Sequence, residues 1–148
     1  MARVAVEEAI RELRATTGAG RTTLRLEAPG GDFPIVAEDV AHGVRTLRGG
    51  AVGDLRSAAT FQALDRDRRP LVQPDLLVAD PAPPHALIQA YGARAQMLAP
   101  LSAPDGRLVG IVSVHETSGP RAWTEDDVAA LVAAAERIAA LLPETGDG

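Results

Sequence analysis

Residues 93–116 read ARAQMLAPLSAPDGRLVGIVSVHE and form the clearest structural unit of the chain. Two apolar stretches flank an Asp-Gly pair, which is a strong signal for a tight turn between antiparallel strands. In the second stretch, both faces of the expected strand are largely apolar. A strand of this kind is covered by other elements on both sides. The segment therefore predicts a β-hairpin at the centre of a sheet.

Two terminal helices and a second hairpin frame this unit. Apolar residues recur at helical spacing over 2–15, and glycines follow, so a helix is predicted there. Residues 21–40 predict two strands joined by a Gly-Gly-Asp turn. Residues 124–142 predict a closing helix in which Thr124 is the N-cap and three acidic residues occupy the first turn. This order indicates an α+β fold with an antiparallel sheet.

The middle of the chain gives weaker signals. Residues 41–60 are expected to contain a short helix and a mobile loop, because glycines interrupt two small apolar patches. Residues 65–84 hold five prolines and predict extended strand and loop. Residues 85–92 predict a short helix that ends at Gly92, and the tail 143–148 is expected to be flexible. We expect the whole of 1–148 to be a single domain.

Composition excludes several classes of function. The net charge of −5 argues against nonspecific nucleic-acid binding, which needs a basic surface. The absence of cysteine excludes disulfides, thiolate metal sites, cysteine nucleophiles and thioether attachment of a cofactor. The amino terminus carries too many charges for a signal peptide, and no apolar run is long enough to span a bilayer. We expect a cytoplasmic protein that contacts neither nucleic acid nor membrane.

Polar residues gather at one end of the central hairpin. The Asp-Gly turn places Arg94 and Gln96 of the first strand near Ser113 and His115 of the second. Four polar groups at one end of an otherwise apolar face are typical of a small-molecule pocket. The alternative is that His115 only marks the point where the strand meets solvent.

Residues 68–142 resemble a GAF domain, the small-molecule-binding module of many bacterial sensors. The resemblance rests on the segments RRPLVQPDLLVADP, YGARAQMLAPLSAPDGRLVGIVSVHE and PRAWTEDDVAALVAAAERIAALL, which occur in the family's order. It implies a GAF-like (PAS-like) central antiparallel sheet of five to six strands. The terminal helices would pack on one face, often as a dimer interface, and loops and short helices would close a pocket on the other.

The phytochrome branch of the family suggests further site residues. His115 matches a strand histidine that approaches the chromophore in that branch, and His85 falls near a second pocket histidine with an offset of one residue. Tyr91 and Asp75 complete the candidates that would bind a ligand. For Arg94 the alternative is a salt bridge to Asp75 or Asp80, and either aspartate could instead cap its own backbone. We expect no catalytic residue and no metal site.

The sequence favours a non-enzymatic sensory or regulatory module that binds a small polar or anionic metabolite. Its output would pass through a homodimer formed by the terminal helices or through a partner protein. Two alternatives stay open: a structural dimerisation scaffold without a ligand, and an enzyme that depends on His115 or His85. No cofactor is expected. Haem is conceivable through His85 or His115 but is not expected. A covalent bilin is excluded by the absence of cysteine, and a noncovalent bilin is not expected in so short a chain.

Overall fold

The computed structural model describes residues 2–50 and 54–142. Four helices and five strands follow one another along the chain, with a 3₁₀ turn at Leu55–Ser57. In chain order they are α1 (Ala2–Thr17), β1 (Arg21–Leu26), β2 (Ile35–Val40), α2 (Ala59–Asp67), β3 (Leu71–Gln73), α3 (His85–Gln89), β4 (Ala95–Ser102), β5 (Leu108–Glu116) and α4 (Glu125–Leu141). The tail 143–148, for which flexibility was expected, lies outside the described residues.

The five strands form one antiparallel sheet in the order β2-β1-β5-β4-β3. The predicted hairpin of β4 and β5 is confirmed, and β5 lies in the middle of the sheet. Its even-numbered residues, such as Val112 and Val114, are fully buried against the terminal helices. Its odd-numbered residues, such as Ser113 and His115, are buried on the opposite face. The apolar character of both faces follows from this double coverage.

Helices α1 and α4 pack together on one face of the sheet, as the resemblance implied. Their apolar stripes meet Met97, Val112 and Val114 of the central hairpin in one core. Thr124 caps α4 as predicted: its hydroxyl accepts a hydrogen bond from the Asp127 N–H, and the Asp127 carboxylate accepts one from the Thr124 N–H. This reciprocal capping box satisfies two backbone donors that a helix start leaves open.

Helix α2 corrects the prediction for the middle of the chain. A short helix was expected within 41–60 and extended structure from residue 65, but α2 spans Ala59–Asp67. Phe61 and Leu64 are three positions apart and are both buried beneath the helix. Their packing stabilises the helix, so that it continues through the charged residues that follow. The helix ends at Arg68, which adopts a left-handed backbone conformation with φ 55°.

Helices α2 and α3, with the loops next to them, cover the second face of the sheet. Two apolar clusters fill this layer: one gathers around Phe33, Phe61 and Ile111, and the other around Leu47, Leu87 and Tyr91. The sheet therefore separates a helix-packed core from a layer of short elements. In the chain as described, no helix is long and apolar enough to cross a membrane.

Candidate functional site

A row of polar side chains crosses the second face of the sheet, which we call the inner face. Arg21 of β1 lies opposite His115 of β5, His115 lies opposite Gln96 of β4, and Gln96 lies opposite Gln73 of β3. All four residues are buried. Neighbouring strands thus bring together residues that are far apart in the sequence, at one level of the sheet.

The pair of Arg21 and His115 fixes the chemical form of the histidine. The Arg21 Nε–H donates a hydrogen bond to His115 Nδ1 at 2.9 Å, and the two residues are 0% and 3% exposed. A guanidinium has donors only, so Nδ1 must be the ring nitrogen without a proton. The proton of the neutral ring is then on Nε2, and His115 lines a cavity on this face. His115 therefore offers a hydrogen-bond donor to that cavity.

Burial keeps His115 neutral. It holds the pKa of His115 well below the usual 6.5, and the positive charges of Arg21 and Arg25 lower it further. Burial also lowers the pKa of Arg21 to about 10, against the opposing effect of the Glu38 carboxylate. At neutral pH, the pair is therefore a guanidinium cation that donates to a neutral imidazole.

Arg21 also holds the chain segments that cover the inner face. Its Nη1 donates to the carbonyl oxygens of Arg45, at 2.6 Å, and Tyr91, at 3.2 Å. Its Nη2 is buried and has no hydrogen-bond partner in the described part of the chain. The hydrogen bonds of this cation thus go to neutral acceptors only. A buried charge without an opposite charge in contact lowers the stability of the fold. Such an arrangement is unusual for an arginine that has only a structural role.

One carboxylate lies near this cation. Glu38 of β2 is opposite Thr23, between Arg21 and Arg25 along β1. Glu38 binds the 41–50 loop, because it accepts hydrogen bonds from the Leu47 N–H at 2.7 Å and from the Thr46 hydroxyl. A single carboxylate that is engaged elsewhere thus faces two guanidinium groups.

A cavity lies between the inner face and α2 and α3, with about 40 Å³ open to the centre of a water molecule. Its polar lining residues are Arg25, Thr60, Gln96, Ser113 and His115. Its apolar lining residues are Leu47, Leu55, Phe61, Leu64, Pro84, Leu87, Leu98 and Ile111. Apolar walls with a few convergent polar groups are the usual composition of a ligand pocket.

The polar groups of the cavity have donors to spare. Within residues 2–50 and 54–142, the Ser113 and Thr60 hydroxyls and His115 Nε2 have no hydrogen-bond partner. Arg25 uses Nη1 to donate to the Phe33 carbonyl oxygen at 2.7 Å, and burial lowers its pKa from its usual value. Gln96 is held by its own amide, whose Nε2–H donates to Gln73 Oε1 at 2.8 Å. Its Oε1 is then the acceptor left to the cavity.

The structure brings three of the predicted site residues together: Gln96, Ser113 and His115 all line the cavity. His115 is not at a solvent-exposed strand end, because it is almost fully buried. Arg94 lies elsewhere. It precedes β4, is half-buried, does not line the cavity, and makes no salt bridge to Asp75 or Asp80 in the chain as described.

The other predicted residues lie around the cavity rather than in its lining. Tyr91 is buried, with the Arg45 guanidinium 4.7 Å from its ring centroid, and contributes its carbonyl oxygen to Arg21. His85 is exposed at the first turn of α3. Asp75 accepts a hydrogen bond from the Leu77 N–H at 3.0 Å, so it caps its own turn, which is the alternative that the sequence left open.

Sequence reasoning did not single out Arg21 and Arg25. They alternate with Thr23 in the stretch RTTLRL, a pattern that is typical of a strand with one solvent-exposed face. The face is buried instead, because β1 lies between β2 and β5 and the loops cover it. The sequence did contain a signal that could have identified them: two arginines lie on one face of a strand whose other face carries Leu24 and Leu26.

The GAF domain model matches residues 2–142 of the chain. The chain belongs to the GAF domain family. This GAF domain therefore belongs to a family of sensory ligand-binding modules, whose members are generally sensory rather than catalytic and often mediate dimerisation or partner contacts. A search of curated proteins gives no significant match.

Solved structures with the same fold include three photoreceptor domains. The GAF domain of PixJ from Thermosynechococcus elongatus has a TM-score of 0.76 and 20% identity, over 95% of this chain and 86% of that one. GAF3 of Slr1393 from Synechocystis sp. PCC6803 has a TM-score of 0.79 and 16% identity, over 99% and 96%. JSC1_58120g3 with bound biliverdin IXa has a TM-score of 0.73 and 17% identity, over 99% of both chains. At these identities, the likeness concerns the fold.

These structures correct the expectation about cofactors. No cofactor was expected from the sequence, and haem and bilin were set aside, but the similar structures include cyanobacteriochrome domains and a domain with bound biliverdin. The reasoning was wrong because it judged a noncovalent bilin by the length of the chain, whereas a domain of matching length holds biliverdin. A missing cysteine excludes only a covalent thioether.

The fit of a bilin can be judged from the cavity. Arg25 and His115 offer donors that suit the propionate groups of a tetrapyrrole. The space of about 40 Å³, however, is well below the roughly 150 Å³ cavity that holds a single benzene ring, and a tetrapyrrole ring system does not fit into it. Helices α2 and α3 would have to move away from the sheet to admit one.

Proposed function

We propose that this GAF domain is a sensory or regulatory module that binds a small polar or anionic metabolite in the cavity over the inner face. The observation that carries the proposal is the pair of unpaired donors at Ser113 and His115, which line the cavity beside the half-buried guanidinium of Arg25. Buried polar groups in folded proteins are normally hydrogen-bonded. A ligand with acceptor groups would complete these hydrogen bonds.

Each residue of the site has a distinct role in this proposal. Arg25, Ser113, His115 and the Gln96 side-chain oxygen would contact the ligand. Arg21 would act as a positioning residue, because it holds His115 with its Nε2–H towards the cavity. Tyr91 would act through Arg21. Arg94, His85 and Asp75 lie outside the lining and provide controls.

Binding rather than catalysis is the role that these groups support. His115 would be a weak general base, because burial and two arginines hold its pKa far below neutrality. The cavity lining contains no carboxylate or cysteine among the residues that the structure describes. We therefore infer a non-enzymatic module.

A contiguous network could carry the effect of binding to the terminal helices. Glu116 follows His115, and its Oε1 accepts a hydrogen bond from Arg121 Nη1 at 3.0 Å. Arg121 Nη2 reaches the Thr17 carbonyl oxygen at the end of α1, at 2.6 Å, and Asp127 in the first turn of α4, at 3.2 Å. A shift of β5 at the site would therefore act on both α1 and α4. We propose that the signal passes through these helices to a second copy of the domain or to a partner protein.

The test is thermal melting against a panel of carboxylates, phosphates, nucleotides and amino acids, with biliverdin followed by its absorption spectrum. A ligand that binds only the folded state stabilises it by about 2.7 kcal/mol at a hundredfold excess over its Kd. We expect at least one metabolite to raise the melting temperature of the wild type. The increase should fall sharply in Ser113→Ala, which removes one donor with little change in volume.

Arg94→Gln is the matched control, because this arginine lies outside the cavity lining and should keep the full response. A response that survives Ser113→Ala but is lost in Arg94→Gln would contradict the proposed site. The absence of any response across the panel would contradict ligand binding itself. A change in the visible absorption spectrum of biliverdin on mixing with the protein would show that biliverdin binds. In that case, α2 and α3 must move away from the sheet to admit it.

A further inference from the structure

The volume of the cavity restricts the choice of ligand more than the polarity of the cavity does. The space of about 40 Å³ that is open to the centre of a water molecule is well below a cavity of roughly 150 Å³, which holds one benzene molecule. The cavity therefore suits an organic molecule smaller than benzene, of about three to five non-hydrogen atoms. A nucleotide or an amino acid with a large side chain exceeds this size.

The hydrogen-bonding groups of the cavity set the charge of the ligand. Arg25 brings a guanidinium, Ser113 and Thr60 bring hydroxyls, and His115 can only donate from Nε2 while Arg21 occupies Nδ1. The charge balance also favours an anion, since one engaged carboxylate, Glu38, faces the buried guanidinium of Arg21 and the half-buried guanidinium of Arg25. An anion with more than one acceptor atom matches this set.

The walls of the cavity select among small anions. Most of the lining is aliphatic or aromatic, with Phe61 from α2, Leu87 from α3 and Ile111 from β5 next to Ser113. A fully polar inorganic ion would lose its hydration against these walls without compensation. A carboxylate with a short alkyl group would place its oxygens against the donors and its methyl or ethyl group against the apolar residues.

We propose that the ligand of this cavity is a short-chain monocarboxylate of the size of acetate or propionate, bound by Arg25, Ser113 and the Nε2–H of His115. This inference rests on the proposed function, and it adds the charge, the size and the apolar end of the ligand. Arg21 makes the recognition specific for an acceptor, because it keeps the lone pair of His115 turned away from the cavity.

The experiment is a titration of the wild-type protein with formate, acetate, propionate and hexanoate at constant ionic strength. Acetamide serves as the neutral analogue of acetate, and nitrate and chloride as inorganic anions. A four-atom ligand binds at best with a Kd on the order of tens of micromolar, so the titrations extend to about 10 mM. Binding is measured by calorimetry and by the rise in melting temperature.

We expect saturable binding of acetate and propionate, none of acetamide or hexanoate, and a loss of at least about tenfold in acetate affinity in Ser113→Ala. Arg25→Gln should abolish binding, and circular dichroism will show whether that variant is folded. Arg94→Gln should bind acetate as the wild type does. The comparison of acetate with acetamide uses only the wild type, so it does not depend on the folding of any variant.

Failure of this inference is distinguishable from failure of the proposed function. Equal binding of acetamide would overturn the charge requirement, and equal binding of nitrate would overturn the role of the apolar walls. Binding of larger metabolites but not of acetate would overturn the size limit. In all three cases, the domain would still be a binding module. If no small molecule binds at all, the proposed function falls as well.

Discussion

One pair of residues, Arg21 and His115, is central to the recognition that we propose for the inner face. The two side chains are 94 positions apart in the sequence and come together because β1 and β5 are neighbours. The arginine carries the charge, and the histidine presents a neutral donor to the cavity. Removing either residue should change measurable properties of the other.

His115 should make the stability of the protein depend on pH in a defined window. Its pKa is lowered in the folded state, so below its ordinary value of 6.5 the unfolded chain takes up a proton that the folded chain does not. The free energy of unfolding should therefore fall as the pH falls, by up to about 1.4 kcal/mol per pH unit. Urea unfolding at several values between about pH 6.5 and pH 5 measures this slope.

In His115→Gln this slope should become much smaller, whatever the absolute stability of the variant. His42→Gln is the control, because it removes an exposed loop histidine. The pKa of Glu116 is also lowered, but its contribution is lost only below its ordinary value of 4.5, outside this window. A slope that is unchanged in His115→Gln would show that His115 is not held neutral.

Arg21→Gln should release the histidine from its single tautomer. Without the guanidinium, Nδ1 can accept or carry a proton, and a nearby positive charge no longer opposes protonation. In ¹⁵N spectra of histidine-labelled protein, the wild-type His115 should show a protonated Nε2 and a bare Nδ1 from about pH 7.5 to pH 6. In Arg21→Gln, the two nitrogen shifts should move towards each other or titrate. Identical spectra for the two proteins would contradict the positioning role.

The residues of the site differ in how far sequence could predict them. Gln96, Ser113 and His115 follow from one local hairpin, whose Asp-Gly turn fixes the register. Arg94 is two positions before Gln96, so the sequence placed it on the same face. It lies before β4, which begins at Ala95, and its backbone is hydrogen-bonded to Glu116 and Leu76. Arg21 and Arg25 depend on the pairing of β1 with β5, which no local pattern specifies.

At the scale of elements, prediction succeeded where local chemistry fixes a boundary. The hairpin turn and the cap of α4 both have side chains that satisfy particular backbone groups, so their positions could be inferred from sequence. Helix α2 was placed too early because its last turn, Asp65–Asp67, has no local helix signal. That turn forms because Phe61 and Leu64 pack on the sheet, and this is a tertiary effect.

The capping box at the start of α4 gives a prediction at this scale. Thr124→Ala removes the hydroxyl that accepts from the Asp127 N–H and should lower the free energy of unfolding by about 1 kcal/mol. Thr124→Ser keeps a hydroxyl and should stay close to the wild type. Urea unfolding of the three proteins measures the difference. Equal loss in both variants would indicate that packing of the threonine methyl group, rather than the cap, stabilises this helix start.

At the scale of the whole molecule, the sheet lies between the proposed ligand site and the helices that we propose to carry the signal. One face carries the ligand cavity and the other carries α1 and α4, and Arg121 connects the two at one end of the sheet. Members of the family often dimerise, and the exposed side of α4 has small residues at positions 129, 133 and 140. We therefore expect a homodimer through the terminal helices.

Ala133→Glu should convert that dimer to a monomer, because the substitution places a charge and extra volume on the exposed face of α4. Gln62→Glu is the control, since it adds one negative charge to an exposed position of α2 on the other side of the sheet. Sedimentation equilibrium measures the mass of each protein. A dimer that persists in Ala133→Glu would place the interface elsewhere.

The central claim is that the cavity binds its ligand through the Nε2–H of His115. The most direct test is a titration of ¹⁵N-histidine-labelled protein with acetate, with the His115 signals assigned by their loss in His115→Gln. The account predicts that the Nε2 resonance of His115 moves in a saturable way, while the signals of His42 and His85, which are exposed and do not line the cavity, move much less. A His115 signal that stays unchanged at saturating acetate would contradict it.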